Sequence, residues 1–185
     1  MLVGDMSAAS VFGTGEKFKR EVAAGMAAVV AFAAIKNNDR GGLIIFPDRV
    51  EKCGPPKKGK KHVLRVISES LSYQPESGRT DLAAGLQFLG RVTKRRAVVF
   101  MLSDFISPPP EGEAPDPRRH AVPRAMEHAL KVVARKHDLI PVTITDALEE
   151  ELPRLGLINL QDLESGEEHV FDSGGPEARA YAEYM

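Results

Sequence analysis

The chain has 185 residues, 25 of them basic and 26 acidic, for a formal net charge of −1. That length is enough for one well-cored domain and short for two, and balanced charge gives no global field for nucleic acid or an acidic membrane. Cys53 is the only cysteine, so no intramolecular disulfide can form, which suits a reducing, cytoplasmic setting.

The N-terminus lacks the basic segment, long apolar core and small-residue cleavage site of a signal peptide. Met1-Leu2-Val3-Gly4 reads as an apolar first strand. A strand in a central position usually runs about five or six residues, so the chain is expected to be the C-terminal part of a longer protein. Asp5-Met6-Ser7-Ala8-Ala9-Ser10 follows at once. An acid and hydroxyls at alternating positions just past a strand can turn their oxygens into one crevice. Oxygen without nitrogen or thiolate is the ligand set of a hard cation such as Mg²⁺, although Asp and Ser at a strand end are also ordinary turn chemistry.

A helix is expected over residues 16–37, with an acid in its first turn and Asn37-Asn38 as its stop. Its apolar stretch, residues 22–35, is broken only by Gly25 and falls short of the roughly 20 residues that span a bilayer. It reads as a buried helix, apolar nearly all round, and no membrane segment is expected. Leu43-Ile44-Ile45-Phe46 is a continuous apolar strand of the kind covered by helices on both faces. Residues 49–53 are expected as a short edge strand and residues 54–61 as a Pro/Gly/Lys turn. The next helix would carry Val63, Leu64, Ile67 and Leu71 on one face.

Arg79-Thr80-Asp81 introduces an amphipathic helix over residues 81–92, with Leu82, Leu86 and Leu89 at helical spacing. Lys94-Arg95-Arg96 leads into a strand over residues 97–102, which ends in Ser103-Asp104-Phe105. Residues 107–117 are rich in Pro, Gly and Glu and form a loop. A helix over residues 123–136 and a strand over 139–144 complete another unit. Beyond Asp146 come a short acidic turn, apolar pieces at 156–160 and 169–171 that read as a late strand or hairpin, and a last helix over 176–185. There is no internal repeat and no second domain.

Alternation of this kind argues for an α/β fold, a Rossmann-like three-layer domain with a mostly parallel central sheet. In such a sheet the strand C-termini lie on one edge, and sites form where the strand order reverses. Asp5 and Asp104 would share that edge.

With Asp5, Ser7, Thr80 and Asp104 at strand ends, the chain resembles a von Willebrand factor A domain, whose metal-ion-dependent adhesion site uses D-x-S-x-S, a Thr and a later Asp. Phe12-Gly13-Thr14, Phe32-Ala33-Ala34-Ile35-Lys36-Asn37-Asn38-Asp39-Arg40, Arg79-Thr80-Asp81-Leu82, Leu102-Ser103-Asp104-Phe105 and Glu151-Leu152-Pro153 resemble the bacterial family called domain of unknown function 58. So does residues 157–171, with Asp162-Leu163-Glu164-Ser165-Gly166-Glu167. The resemblance covers essentially the whole chain, 1–185, as a single domain. It implies a non-enzymatic, metal-bridged protein-binding module holding Mg²⁺ (or Mn²⁺) through Asp5, Ser7, Thr80 and Asp104, with a partner's carboxylate completing the shell. Ala9 departs from the pattern because it has no hydroxyl to give. Ser10 is adjacent, but one step along an extended segment turns the side chain the other way. Mg²⁺ takes six oxygens at about 2.0–2.1 Å and keeps several waters, so a water can fill the gap at some cost in affinity. The resemblance further implies cooperation with a MoxR-type AAA ATPase in assembling or maturing other proteins.

Two alternatives stand beside that reading. One is a metal-free, vestigial scaffold for protein interaction, with Ala9 as the first sign of decay. The other is a Mg²⁺-dependent phosphotransferase of the haloacid-dehalogenase kind with Asp5 as nucleophile; its first loop needs a second Asp where this chain has Ser7, and the sequence offers no clear charge-neutralising Lys. Asp172-Ser173-Gly174-Gly175-Pro176 copies a serine-protease string in an α/β setting that refuses it, and reads as a turn. His62, His120, His128, His137 and His169 lack transition-metal spacing, and His137 suits the negative end of a helix dipole. Lys57-Lys58-Gly59-Lys60-Lys61 and the basic residues of 91–96 have no interleaved aromatics to stack bases, so no nucleic-acid partner is expected. Glu149-Glu150-Glu151 reads as a solvated helical turn. Asp39 reads as a turn cap, and Asp81 as a helix-start residue with a possible supporting part at the site.

Overall fold

The computed structural model describes residues 1–5, 13, 18–46, 50, 52–73, 81–105, 124–150, 153–161, 168–176 and 178. The apolar runs become strands β1 (Leu2–Asp5), β2 (Gly41–Phe46), β3 (Lys52–Lys57), β4 (Val98–Ser103) and β5 (Asp138–Thr143), in the order β3-β2-β1-β4-β5. All neighbours are parallel except β3, which runs antiparallel to β2. The chain winds outward from β1 through β2 to β3, then returns to the other side of β1 for β4 and β5. The order therefore reverses between β1 and β4. This is the mostly parallel α/β fold that the alternation of elements predicts.

Successive side chains of a strand point to opposite faces, and helices cover both. Leu2, Leu43, Ile45 and Leu102 pack with α1 (Lys19–Lys36) and α2 (Lys60–Leu71). Val3, Ile44, Phe46, Val99 and Met101 pack with α3 (Leu82–Val92) and α4 (Arg124–Lys136). Coverage on both faces is why β2 reads as an unbroken apolar run.

Helix α1 differs from its expected character. It starts at Lys19, with residues 14–17 outside the described set, and it stops at Asn37, followed by Asn38 in the left-handed region at φ 55°. Only one face is buried, through the small side chains Ala23, Ala24, Ala27 and Ala31. Val22, Met26, Val29 and Phe32 point outward, Val29 being 65% exposed and Phe32 52%. Apolar composition all round thus does not mean burial all round here, because the sheet needs only the narrow alanine stripe for close approach.

Two further boundaries move. β3 starts inside the edge strand expected over 49–53 and runs on into residues expected as a turn: an edge strand bonds a neighbour on one side only, which accommodates one of the consecutive Pro55 and Pro56, and the register shift between Gly41 and Leu43 accommodates the other. Gly42 makes this pairing possible: a Cβ there would lie 2.9 Å from Gly54 O and 3.0 Å from Pro56 N. In α2 the buried apolar stripe is Val63, Val66 and Ile67, while Leu64 is turned outward and 41% exposed; residue 64 lies roughly 100° round the helix from 63. On the opposite edge, Asp138 N donates to Ala97 O and Ile144 N to Ser103 O. Even-numbered β5 amides therefore face β4, and Pro141 sits on the open side where its missing N–H protects the edge.

After α5 (Ala147–Glu150), β6 (Leu157–Gln161) and β7 (Glu168–Asp172) form a separate antiparallel hairpin, the late hairpin expected from the sequence. Its base is tied by buried Ser173, whose Oγ accepts from Leu155 N at 2.8 Å and donates to Gly156 O at 2.8 Å. That is the task of the protease-like string. The loop expected over 107–117 and most of the last helix lie outside the described residues. No helix among the described residues is long and apolar enough to cross a membrane.

Candidate metal centre

Asp5 is the last residue of β1 and Asp104 the first after β4. The two strands are adjacent and parallel, with Gly4 opposite Leu102. Both acids therefore leave the sheet at its C-terminal edge, at the crevice where strand order reverses. Ser7, Ala9 and Thr80 lie outside the described residues. Asp81, next to Thr80, caps α3: its Oδ1 accepts from Ala84 N at 2.9 Å. That fits the helix-start reading.

The backbone around Asp104 is tightly specified. Ser103 Oγ accepts from Phe105 N at 3.0 Å, and Phe105 has φ 60°. A left-handed conformation in a bulky residue costs on the order of 1–3 kcal/mol and concentrates at functional sites. Phe105 packs against the core on the α3/α4 face, which helps hold the turn that carries Asp104.

The sequence reading missed one residue here. Lys19 Nζ lies 2.9 Å from Asp104 Oδ2, and the two side chains are only 6% and 9% exposed. The absence of a charge-neutralising lysine, expected from the sequence, is thereby corrected. α1 brings Lys19 to the edge from 85 residues away. Its signal in the sequence was weak: a lysine in the first turn of a helix, where the dipole disfavours a cation, amid charged neighbours that resemble an ordinary solvated helix start. Phe18 N donates to Glu21 Oε2 at 2.9 Å, so the acid of that first turn is spent on the helix start.

The expected set of two carboxylates and two hydroxyls would suit a hard divalent ion; of it the described residues include the backbone of Asp5 and the side chain of Asp104, and an ammonium already lies on Asp104. No group of three or more His, Cys, Asp or Glu side chains that could hold a metal occurs among the described residues. The histidines add none. His62 Nε2 lies 3.0 Å from Gly41 O. His137 is buried at the far end of α4, and among the described residues no hydrogen-bond partner meets either ring nitrogen. Burial, aided by Lys136 and the N-terminal amine and opposed by Asp138, pushes its pKa below the ordinary value. The charged imidazolium expected from the helix dipole is therefore disfavoured, because desolvation outweighs the dipole. In the basic stretch, Arg96 Nη2 donates to Asp138 Oδ1 at 2.6 Å, as expected of a solvated helix end.

Comparison with known proteins followed the same lines. The family described as "Protein of unknown function DUF58" matches residues 1–184. An uncharacterized protein of Mycobacterium tuberculosis is 30% identical over 168 residues, covering 89% of this chain and 48% of that protein; one of Mycobacterium bovis matches to the same extent. The chain thus spans about half the length of the curated relatives it matches. Among solved structures, an aerotolerance-related membrane protein from Bacteroides fragilis has a TM-score of 0.64 at 13% identity, over 99% of this chain and 85% of that one. The conserved hypothetical protein BatB from Bacteroides thetaiotaomicron has 0.59 at 13% identity, over 99% and 84%. At such identity these two are similar in fold alone.

Proposed function

The chain belongs to the DUF58 family, and from that premise we propose that it is a non-enzymatic protein-binding module of the von Willebrand factor A type, working through a divalent ion at the C-terminal sheet edge. Asp5, Ser7, Thr80 and Asp104 would hold Mg²⁺ or Mn²⁺, the hydroxyls as direct ligands and the carboxylates directly or through water. The observation that carries the reading is the exit of Asp5 and Asp104 from neighbouring parallel strands at the point of reversal. A bound ion would supply a positive centre for an acidic side chain of the partner. This chain's own residues do the rest: β1 and β4 fix the spacing of the two acids, and the Ser103 turn orients Asp104.

The partner's acid would reach the edge beside the start of α1, whose outward Val22, Met26, Val29 and Phe32 give it apolar surface to cover. A MoxR-type AAA ATPase is the partner class that the family suggests, in the assembly or maturation of other proteins. Titration calorimetry of Mg²⁺ and Mn²⁺ into metal-stripped protein tests the reading, with Asp104→Ala as the control. Saturable heat that vanishes in the variant supports it. No binding at millimolar metal by either the wild type or a Lys19→Met variant, which lacks the ammonium on Asp104, refutes it and favours the second reading, a metal-free interaction scaffold. The second reading draws on a specific observation, the Lys19 ammonium on Asp104.

A further inference from the structure

Among the described residues, Lys19 is the only lysine or arginine that is buried. Its position is doubly unfavourable for a cation. Desolvating an ammonium is costly unless a close counter-charge compensates, and the first turn of a helix carries the positive end of the dipole. The compensation comes from Asp104, 2.9 Å away and equally withdrawn from water. Asp104 in turn is set by a hydroxyl-anchored turn and a left-handed Phe105, an arrangement more specific than a chance surface pair requires. The contact lies at the end of β4, beside the end of β1, where the metal ligands would converge.

We propose that Lys19 is the resident cation of this edge: its ammonium occupies on Asp104 the place a divalent ion would take, so that metal entry is an exchange in which Lys19 leaves the carboxylate. The proposal rests on the metal reading above and adds its regulation. An ammonium neutralises a carboxylate with hydrogen bonds and needs no complete oxygen shell, so it also accounts for a first loop that tolerates Ala9 where a hydroxyl is expected. In the Lys19-bound state Asp104 is charge-compensated and withheld from metal. A partner that brings its own carboxylate favours the exchanged state, because it adds a negative ligand to the ion and a counter-charge for the released lysine.

The test is Mn²⁺ titration of the metal-free chain as wild type, Lys19→Met, and Lys19→Met with Asp104→Asn, with thermal melts with and without Mn²⁺. Removing a charge in direct contact with the ligand should tighten Mn²⁺ binding by about tenfold or more. It should also make the melting temperature of Lys19→Met rise with Mn²⁺ more than that of wild type, because the ion then replaces the lost partner of Asp104. Both gains should disappear with Asp104→Asn. Lys19→Gln, neutral but still able to donate to the carboxylate, serves the same comparison if the Met variant does not fold. Equal or weaker Mn²⁺ binding in the neutral variant overturns the exchange; if wild type still binds through Asp104, the metal reading survives that failure. Binding by the neutral variant alone upholds the exchange and refutes metal binding by the unassisted wild-type chain. No binding by any variant overturns both.

Discussion

Gly85 on α3 faces the ring of Phe46, the fully buried last residue of β2. A Cβ at Gly85 would lie 2.6 Å from Phe46 Cγ and 2.7 Å from both Cδ atoms, whereas ordinary contact begins at 3.4 Å. The Gly85→Ala variant must therefore open the α3–sheet contact by about 0.8 Å or tilt a ring that has no free space. Overpacking of this kind costs about 1–3 kcal/mol, against a helix-propensity gain of about 1 kcal/mol from Gly to Ala. With three ring atoms in conflict at once, the upper part of the range applies, and the expected net loss is about 1–2 kcal/mol. Urea unfolding followed by circular dichroism measures it. Adding Phe46→Leu should recover part of the loss, with a coupling energy of at least about 1 kcal/mol. A Gly85→Ala protein as stable as wild type, or more stable, would refute the argument, because propensity would then act unopposed. The contact bears on the site as well: α3 starts two residues after Thr80, so a displaced α3 should also weaken any Mn²⁺ binding.

Asp81→Ala removes the cap on α3 and should cost about 1 kcal/mol, while Asp81→Asn, which keeps the accepting oxygen, should cost much less; denaturant midpoints of the two variants decide this. His137 has its pKa lowered in the fold, so below an unfolded value of about 6.5 the unfolded chain takes up a proton that the native state resists. Stability should fall as pH drops from about 6.5 toward the folded pKa, and His137→Leu should flatten that part of the melting profile between pH 7 and pH 5; an unchanged slope would remove His137 as its cause. Ser173→Ala leaves Leu155 N without its Oγ acceptor and should cost about 1–3 kcal/mol locally. Hydrogen exchange should quicken in β6 and β7 and stay unchanged in β1, β2 and β4; equal protection in the hairpin would refute the tie.

The apolar run of β2, the amphipathic period of α3 and the alternation of strands with helices were legible in the sequence because hydrophobic spacing is a local property, and they were enough to determine the α/β class. The oxygen-rich ends of β1 and β4 were legible too, since strand ends and turn chemistry are written in a few adjacent residues. Which apolar residues become core was not local. α1 shows this most clearly: Val22, Val29 and Phe32 are as apolar as any core residue, yet the sheet receives the alanine stripe. β5 keeps its proline because it lies on a sheet edge, and β3 keeps two because it lies on the other edge and shifts register there; edge status belongs to the strand order, which no single segment encodes. The pairing of Lys19 with Asp104 is the furthest from sequence reach. It depends on a helix start and a strand end, 85 residues apart, meeting at one buried point, and burial is what turns an ordinary first-turn lysine into the counter-charge of the candidate site. The sequence by itself determined the alternation of strands and helices and the residue types offered at the strand ends; the tertiary structure decided which charges meet, because charge pairing in a desolvated crevice depends on distances that only packing sets.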